Sequence, residues 1–315
     1  LLQEKEQRFG RRLLEAFLIT MKNKYLAAIL LIVSCYVKLF SQQNHFVLFI
    51  NGYRGVNLDH YTADGSIIDP RKPKTTHVDS SFKSEAWIIG YWKPNQLHFD
   101  DSILIRYENA YPIYIDGHHP LKTSAHKNKN ALVWSYVKSK IYFFRRSPKG
   151  VLNLKSNKDG FNQRMIFGKK VGNDFNTHYL TDINQPKITI VCHSMGFAVA
   201  LGLVQSLDKK VQFKDFVIIS PEGTENGYCN WEQFRSVWHF SPSWKNGRYR
   251  IVANQDGIAP QVPIVGMKNT QTTGLIGVPM NSKKVSLGFY KSHHMAYFHW
   301  FFDIKKGDRG YFGDY

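Results

Sequence analysis

The stretch Lys187-Ile188-Thr189-Ile190-Val191-Cys192-His193-Ser194-Met195-Gly196-Phe197-Ala198-Val199-Ala200-Leu201 decides the fold. Its first six residues form a continuous run rich in β-branched side chains, which suits a strand covered on both faces. From 197 to 207 the apolar residues recur at close to helical spacing. Between strand and helix the chain has only Cys192 to Gly196 in which to turn. A strand, a sharp turn carrying a Ser and then a helix is the context a nucleophile elbow requires. The residues two before and two after the Ser must be small. Gly196 meets this, and Cys192 is small although a Gly is usual there. Such a turn lifts the Ser194 hydroxyl clear of the sheet and aims the Met195 amide at a developing oxyanion.

Working outward, further strand-like runs occur at 45–50, 111–115, 216–219, 249–253 and 284–289. Helical patterns lie at 164–179 and 295–305, the second rich in aromatic residues. Strands alternating with helices predict an α/β fold with a doubly wound, mostly parallel sheet. The segment at about 56–110 is long for one connection, so it is expected to be an insertion after the first core strand. Long connections of this kind often act as lids or binding elements.

Partners for Ser194 are expected after later strands. Asp256, in Ala253-Asn254-Gln255-Asp256-Gly257, is the expected acid, with Glu222 in Ser220-Pro221-Glu222-Gly223 as its rival. The acid would hold the histidine tautomer and stabilise the imidazolium. Ser292-His293-His294-Met295 offers two adjacent bases. His294 is the expected one, because His-x-x-Tyr-Phe resembles the surroundings of the catalytic His in lipase-like families. His293 stays open, since spacing alone does not separate neighbours. After the first strand, Asn51-Gly52-Tyr53-Arg54-Gly55 resembles a His-Gly oxyanion loop with Asn51 in place of the His. The Tyr53 amide is the expected second donor, with Gly52 allowing close backbone approach.

The order Ser–Asp–His is that of α/β-hydrolases. Over roughly residues 45–305 the sequence resembles that superfamily, and in flavour exported lipase- and esterase-type members from Bacteroidetes. The resemblance implies a serine ester hydrolase working through an acyl-enzyme, with a small-molecule or lipid ester as substrate and with neither metal nor cofactor. Acyl transfer or amide hydrolysis on the same fold, or an exported binding protein without activity, remain open alternatives. A second polar cluster, Asp116-Gly117-His118-His119 with His126 nearby, has no spacing that matches a helical zinc motif and reads as a turn or a pocket rim.

The chain has 315 residues, of which 43% are hydrophobic and 15% aromatic, enough for one large core. Residues 1–20 read as an upstream extension and 21–42 as a signal peptide. Met21-Lys22-Asn23-Lys24 is basic, and 25–33 is a compact apolar run too short to span a bilayer. The exit lies either at Cys35, as in a lipoprotein, or near Ser41-Gln42. The mature protein, 43–315, is therefore expected to be a single exported domain: periplasmic, lipid-anchored at the outer membrane, or secreted. The three cysteines, Cys35, Cys192 and Cys229, give neither a disulfide framework nor a cysteine zinc site. Net charge is +18, of which +14 remains once the seven Lys/Arg and three Glu of residues 1–40 are set aside. The positive residues are scattered, which suits a basic solvated surface or an anionic envelope surface better than a specific nucleic-acid site. Nothing in the sequence fixes an oligomeric state.

Overall fold

A computed structural model of the chain describes residues 44–52, 67–68, 88–117, 158–207, 209–243, 263–279 and 293–314. The expected strands at 249–253 and 284–289, the signal segment with Cys35, and His118, His119 and His126 lie outside the described residues.

Seven strands form one sheet: β1 His45–Ile50, β2 Ile67–Ile68, β3 Ala110–Ile115, β4 Lys187–His193, β5 Gln212–Ile219, β6 Ser236–Ser243 and β7 Thr273–Pro279. Their spatial order is β2-β3-β1-β4-β5-β6-β7. All neighbours pair in parallel except the two-residue β2, which runs antiparallel to β3 at the edge of the sheet. The helices are α1 Phe99–Leu104, α2 Lys158–Phe175 and α3 Gly196–Ser206. A 3-10 helix covers Met295–Asp303. The fold is thus of the α/β class with six parallel strands.

Strand side chains alternate between two cores. Phe46, Leu48 and Ile50 of β1 and Ile188, Ile190 and Cys192 of β4 face α2 and α3. Val47 and Phe49 of β1 and Val191 of β4 face the opposite core, built from Trp92, Phe99 and Ile103 with Met295, Phe298 and Phe301. Both sheet faces are therefore dry, which explains why β1 and β4 read as unbroken apolar runs. Phe49 stacks on Tyr114 at 5.4 Å and packs on Trp92 at 5.2 Å. Truncating a buried aromatic of this size costs about 3–5 kcal/mol.

Beyond β2, the described part of the expected insertion at about 56–110 begins at residue 88 and leads into β3. It is the crossover from β1 to β3, with Ile88, Trp92, Phe99 and Ile103 buried on the sheet. The remainder, 53–66 and 69–87, lies outside the described residues. Two further strands, β6 and β7, have no counterpart in the sequence reading. His239, Ser241 and Pro242 interrupt the apolar run of β6, and two glycines dilute β7.

The chain direction places a topological switch point. It leaves β1 toward α1 on one face, and leaves β4 toward α3 on the other. β1 and β4 are neighbours, so the topological switch point lies between their carboxyl ends, where open α/β sheets hold their ligands. Gly52 and Ser194 stand at those two ends.

A polar clasp fixes the C-terminal tail. Buried Asp215 on β5 accepts from Tyr107 Oη at 2.8 Å, Arg235 Nε at 2.9 Å, Ser236 Oγ at 2.9 Å and the Gly313 amide at 3.0 Å. Arg106 donates to the carbonyls of Phe302 at 2.7 Å and Phe312 at 3.3 Å, and its guanidinium lies over the Phe312 ring at 4.7 Å. Trp238 Nε1 donates to the Tyr311 carbonyl at 2.7 Å.

Candidate active site

Ser194 occupies the turn between β4 and α3 with φ of +57°. A non-glycine residue in this left-handed region carries backbone strain of order 1 kcal/mol and persists only where its surroundings hold it. The Ser194 amide donates to the Ile219 carbonyl at 3.0 Å, and the Ser194 carbonyl accepts from Phe197 at 3.2 Å and Glu222 at 3.3 Å. The turn is therefore tied to α3 and to the end of β5. Gly196 is required by crowding: a Cβ there would lie 2.6 Å from the Asn51 carbonyl oxygen and 2.7 Å from that of Ile50. Cys192, at the position where a Gly is usual, points into the dry core beneath α3 and is fully buried. Burial pushes its thiol well above the ordinary range. Cys192 and Cys229 are both buried thiols and are not joined.

The imidazole beside Ser194 is that of His293. Its Nε2 lies 2.8 Å from Ser194 Oγ. His294, the residue expected in that role, is exposed and turned away from it. Its Nδ1 accepts from the Ala296 amide at 3.2 Å and so caps the 3-10 helix that follows. Adjacent residues in extended backbone point to opposite sides, and His294 is extended, at φ −75° and ψ 140°. Only one of the pair can face the serine, and the cap has taken the other.

Glu222 reaches the same hydroxyl, with Oε1 3.0 Å from Ser194 Oγ. The serine carries one proton and has two acceptors in reach, a carboxylate and an imidazole. Arg164 of α2 lies within electrostatic reach of Glu222, although burial lowers its own affinity for the proton. Asp256 and Tyr53 lie outside the described residues.

The β1 loop closes the site from the other side. A Cβ on Gly52 would fall 2.5 Å from Ser194 Cβ and 3.1 Å from Ser194 Oγ, so β1 meets Ser194 backbone-first. Asn51 is fully buried. Its Nδ2 donates to Asp116 Oδ1 at 3.2 Å, and its Oδ1 accepts from the Gly117 amide at 3.3 Å. Asn51 and Asp116, neither placed together by the sequence, thus pin the end of β1 to the end of β3. Met195, the first residue after the nucleophile, precedes α3 directly. Its amide stands at the positive end of that helix.

Two further side chains complete the cluster. His193 is buried, and its Nε2 donates to the His293 carbonyl at 2.8 Å. The Tyr91 hydroxyl donates to His193 Nδ1. Burial, reinforced by the neighbouring His293, holds His193 well below the ordinary imidazole range, so it is neutral. Burial likewise pushes the Tyr91 phenol up. His193 lay inside the motif quoted at the outset, but nothing in the sequence marked Tyr91, whose role depends on the crossover packing. Among the described residues the ligand atoms of His98, Asp100 and Asp101 lie close together. There Asp100 already accepts from Tyr114 Oη at 2.6 Å and faces Lys93 at 3.6 Å.

No protein-family model matches the chain, and no curated protein sequence matches it.

Proposed function

We propose that the chain is a serine ester hydrolase with the α/β-hydrolase arrangement, acting through an acyl-enzyme on Ser194. The observation that carries this reading is the 2.8 Å approach of His293 Nε2 to a serine hydroxyl on a turn of positive φ. The position of that turn at the sheet's switch point supports it further.

His293 takes the serine proton as Oγ attacks the carbonyl carbon of the ester. The oxyanion that forms is met by the Met195 amide and, on the β1 side, by the Tyr53 amide. Each such donor is worth roughly 3–4 kcal/mol. The imidazolium returns its proton to the leaving alcohol, and water then releases the acid by the same steps. Asp256 remains the proposed orienting acid. Glu222, at 3.0 Å from Oγ, is its rival and also competes with His293 for the serine proton. We further propose an apolar or lipid ester as substrate and an exported location, on the strength of the signal-like segment 21–42.

The test is labelling with an alkyl fluorophosphonate, with the modified residue mapped by mass spectrometry, alongside hydrolysis of p-nitrophenyl acyl esters. Labelling at Ser194 and its loss in Ser194→Ala are expected. Undiminished labelling of that variant would refute the assignment. Asp256→Asn and Glu222→Gln distinguish the acids, since the orienting one lowers kcat by orders of magnitude.

A further inference from the structure

We infer that His193 and Tyr91 are positioning residues, forming a directed hydrogen-bond chain that clamps the backbone of His293 over Ser194. The inference rests on the reading of Ser194 and His293 as nucleophile and base.

The geometry follows from strand alternation. Ile190 and Cys192 of β4 face α2 and α3, so His193 points to the opposite face, toward the crossover that carries Tyr91. One residue later the chain turns, and Ser194 rises out of the sheet. A single dipeptide therefore supplies the nucleophile above and an imidazole below.

The direction of each bond is fixed by chemistry. A carbonyl only accepts, so the 2.8 Å contact to the His293 carbonyl places the proton on His193 Nε2. A neutral ring has one N–H, so Nδ1 is bare and accepts from the Tyr91 hydroxyl. The ring of His193 lies 4.9 Å from that of His293 and 5.6 Å from that of Tyr91.

The chain thus runs from the crossover, through the elbow, to the segment bearing the base. It joins the parts of the site that separate stretches of sequence deliver. Glycine, aliphatic or phenyl side chains at 193 make neither bond. An imidazole makes both, with donor and acceptor on opposite edges of one rigid ring. Anchoring the His293 carbonyl restricts the backbone rotation that would swing Nε2 off Ser194 Oγ. The cap keeps His294 away from the serine, and the clamp holds His293 over it.

The experiment uses the full chain with Tyr91→Phe, His193→Phe and His193→Gln. The readouts are the rate of fluorophosphonate labelling at Ser194, kcat and KM for p-nitrophenyl acetate, and the melting temperature. A displacement of about 1 Å at a reacting group costs roughly 100-fold, so His193→Phe is expected to lower kcat by about that factor with KM little changed. Tyr91→Phe, which removes one hydroxyl and keeps the ring, is expected to lose roughly tenfold. His193→Gln restores a donor toward the His293 carbonyl and is expected to recover most of the rate. Adding Tyr91→Phe to His193→Phe is expected to cause little further loss, because both break one chain. If His193→Phe melts early, Tyr91→Phe and His193→Gln decide. Wild-type labelling rates in Tyr91→Phe, or a His193→Gln variant as slow as His193→Phe, would overturn the clamp while Ser194 stays labelled. A wild-type protein unlabelled at Ser194 would overturn the nucleophile assignment and the clamp with it.

Discussion

Replacing Gly52 by Ala adds one methyl group at the closest approach of β1 to the nucleophile. That methyl would lie 2.5 Å from Ser194 Cβ, 2.9 Å from the His193 carbonyl oxygen and 3.1 Å from Ser194 Oγ. Carbon atoms rest at about 3.5–4.0 Å, so the overlap with Ser194 Cβ is roughly 1 Å or more. None of the crowded atoms is the far end of a flexible side chain. Ser194 is held by its amide bond to Ile219 at 3.0 Å, and the β1 end by Asn51. Either the β1 loop or the elbow must therefore move by about the overlap. Overpacking of this kind costs about 1–3 kcal/mol, and 2 kcal/mol corresponds to roughly 4–8 °C in melting temperature for a domain of this size. The same displacement at a reacting group is expected to slow fluorophosphonate labelling of Ser194 about 100-fold. Gly90→Ala serves as the control, since a Cβ there meets nothing within 4 Å. A Gly52→Ala protein that labels and melts like wild type would show that β1 does not border the nucleophile as described.

His293→Ala is expected to lower ester hydrolysis by at least 10²–10⁴-fold, the contribution of a general base. His294→Ala should leave the rate intact and cost about 0.5–1 kcal/mol in urea denaturation, as the loss of a helix cap does. Reversed outcomes would reassign the base. Asp215→Ala strips the acceptor from Tyr107, Arg235, Ser236 and Gly313, and is expected to lower stability by about 3 kcal/mol with little effect on kcat per folded molecule. A urea midpoint equal to wild type would contradict the clasp. Stability should also fall with acid. Burial holds the His45 imidazole down to about 4, against 6.5 when unfolded. Between those values the unfolded chain binds the extra proton, so stability is full above pH 6.5 and declines as pH falls toward 4, by roughly 3 kcal/mol. His193, also depressed, acts in the same sense. Urea midpoints at pH 7.5 and 4.5 measure the slope, and His45→Gln should flatten it. An unchanged slope would sink the assignment to His45.

The parts legible in the sequence are those that local pattern determines. β1, β4 and β5 are buried on both faces, and their apolar runs show it. The elbow shows because a strand, a small-residue turn and a helix must follow one another without a gap. β6 and β7 were missed because their stability comes from parallel neighbours. His239 and Ser241 are fully buried in β6, yet their polarity breaks the pattern. The choice between His293 and His294 was not legible, because it depends on which ring the 3-10 cap takes. The packing of 88–109 was not legible, because Trp92, Phe99 and Ile103 are apolar whichever surface they meet, and only the fold sets them on the sheet. Tyr91 had no signal at all, since its partner His193 lies 102 positions away.

The tail clasp sets a schedule for folding during synthesis. Arg106 emerges early, but its carbonyl partners at Phe302 and Phe312 are made some two hundred residues later. Asp215 likewise waits for Gly313, and Arg235 for Asp314. A nascent chain can assemble β1 to β5 but keeps a buried carboxylate and a guanidinium short of partners until residues 302–314 have been made. Sealing of this core is therefore a late step that links residues 302–314 to the middle of the sheet. It leaves a long interval in which chaperones meet an unsealed core.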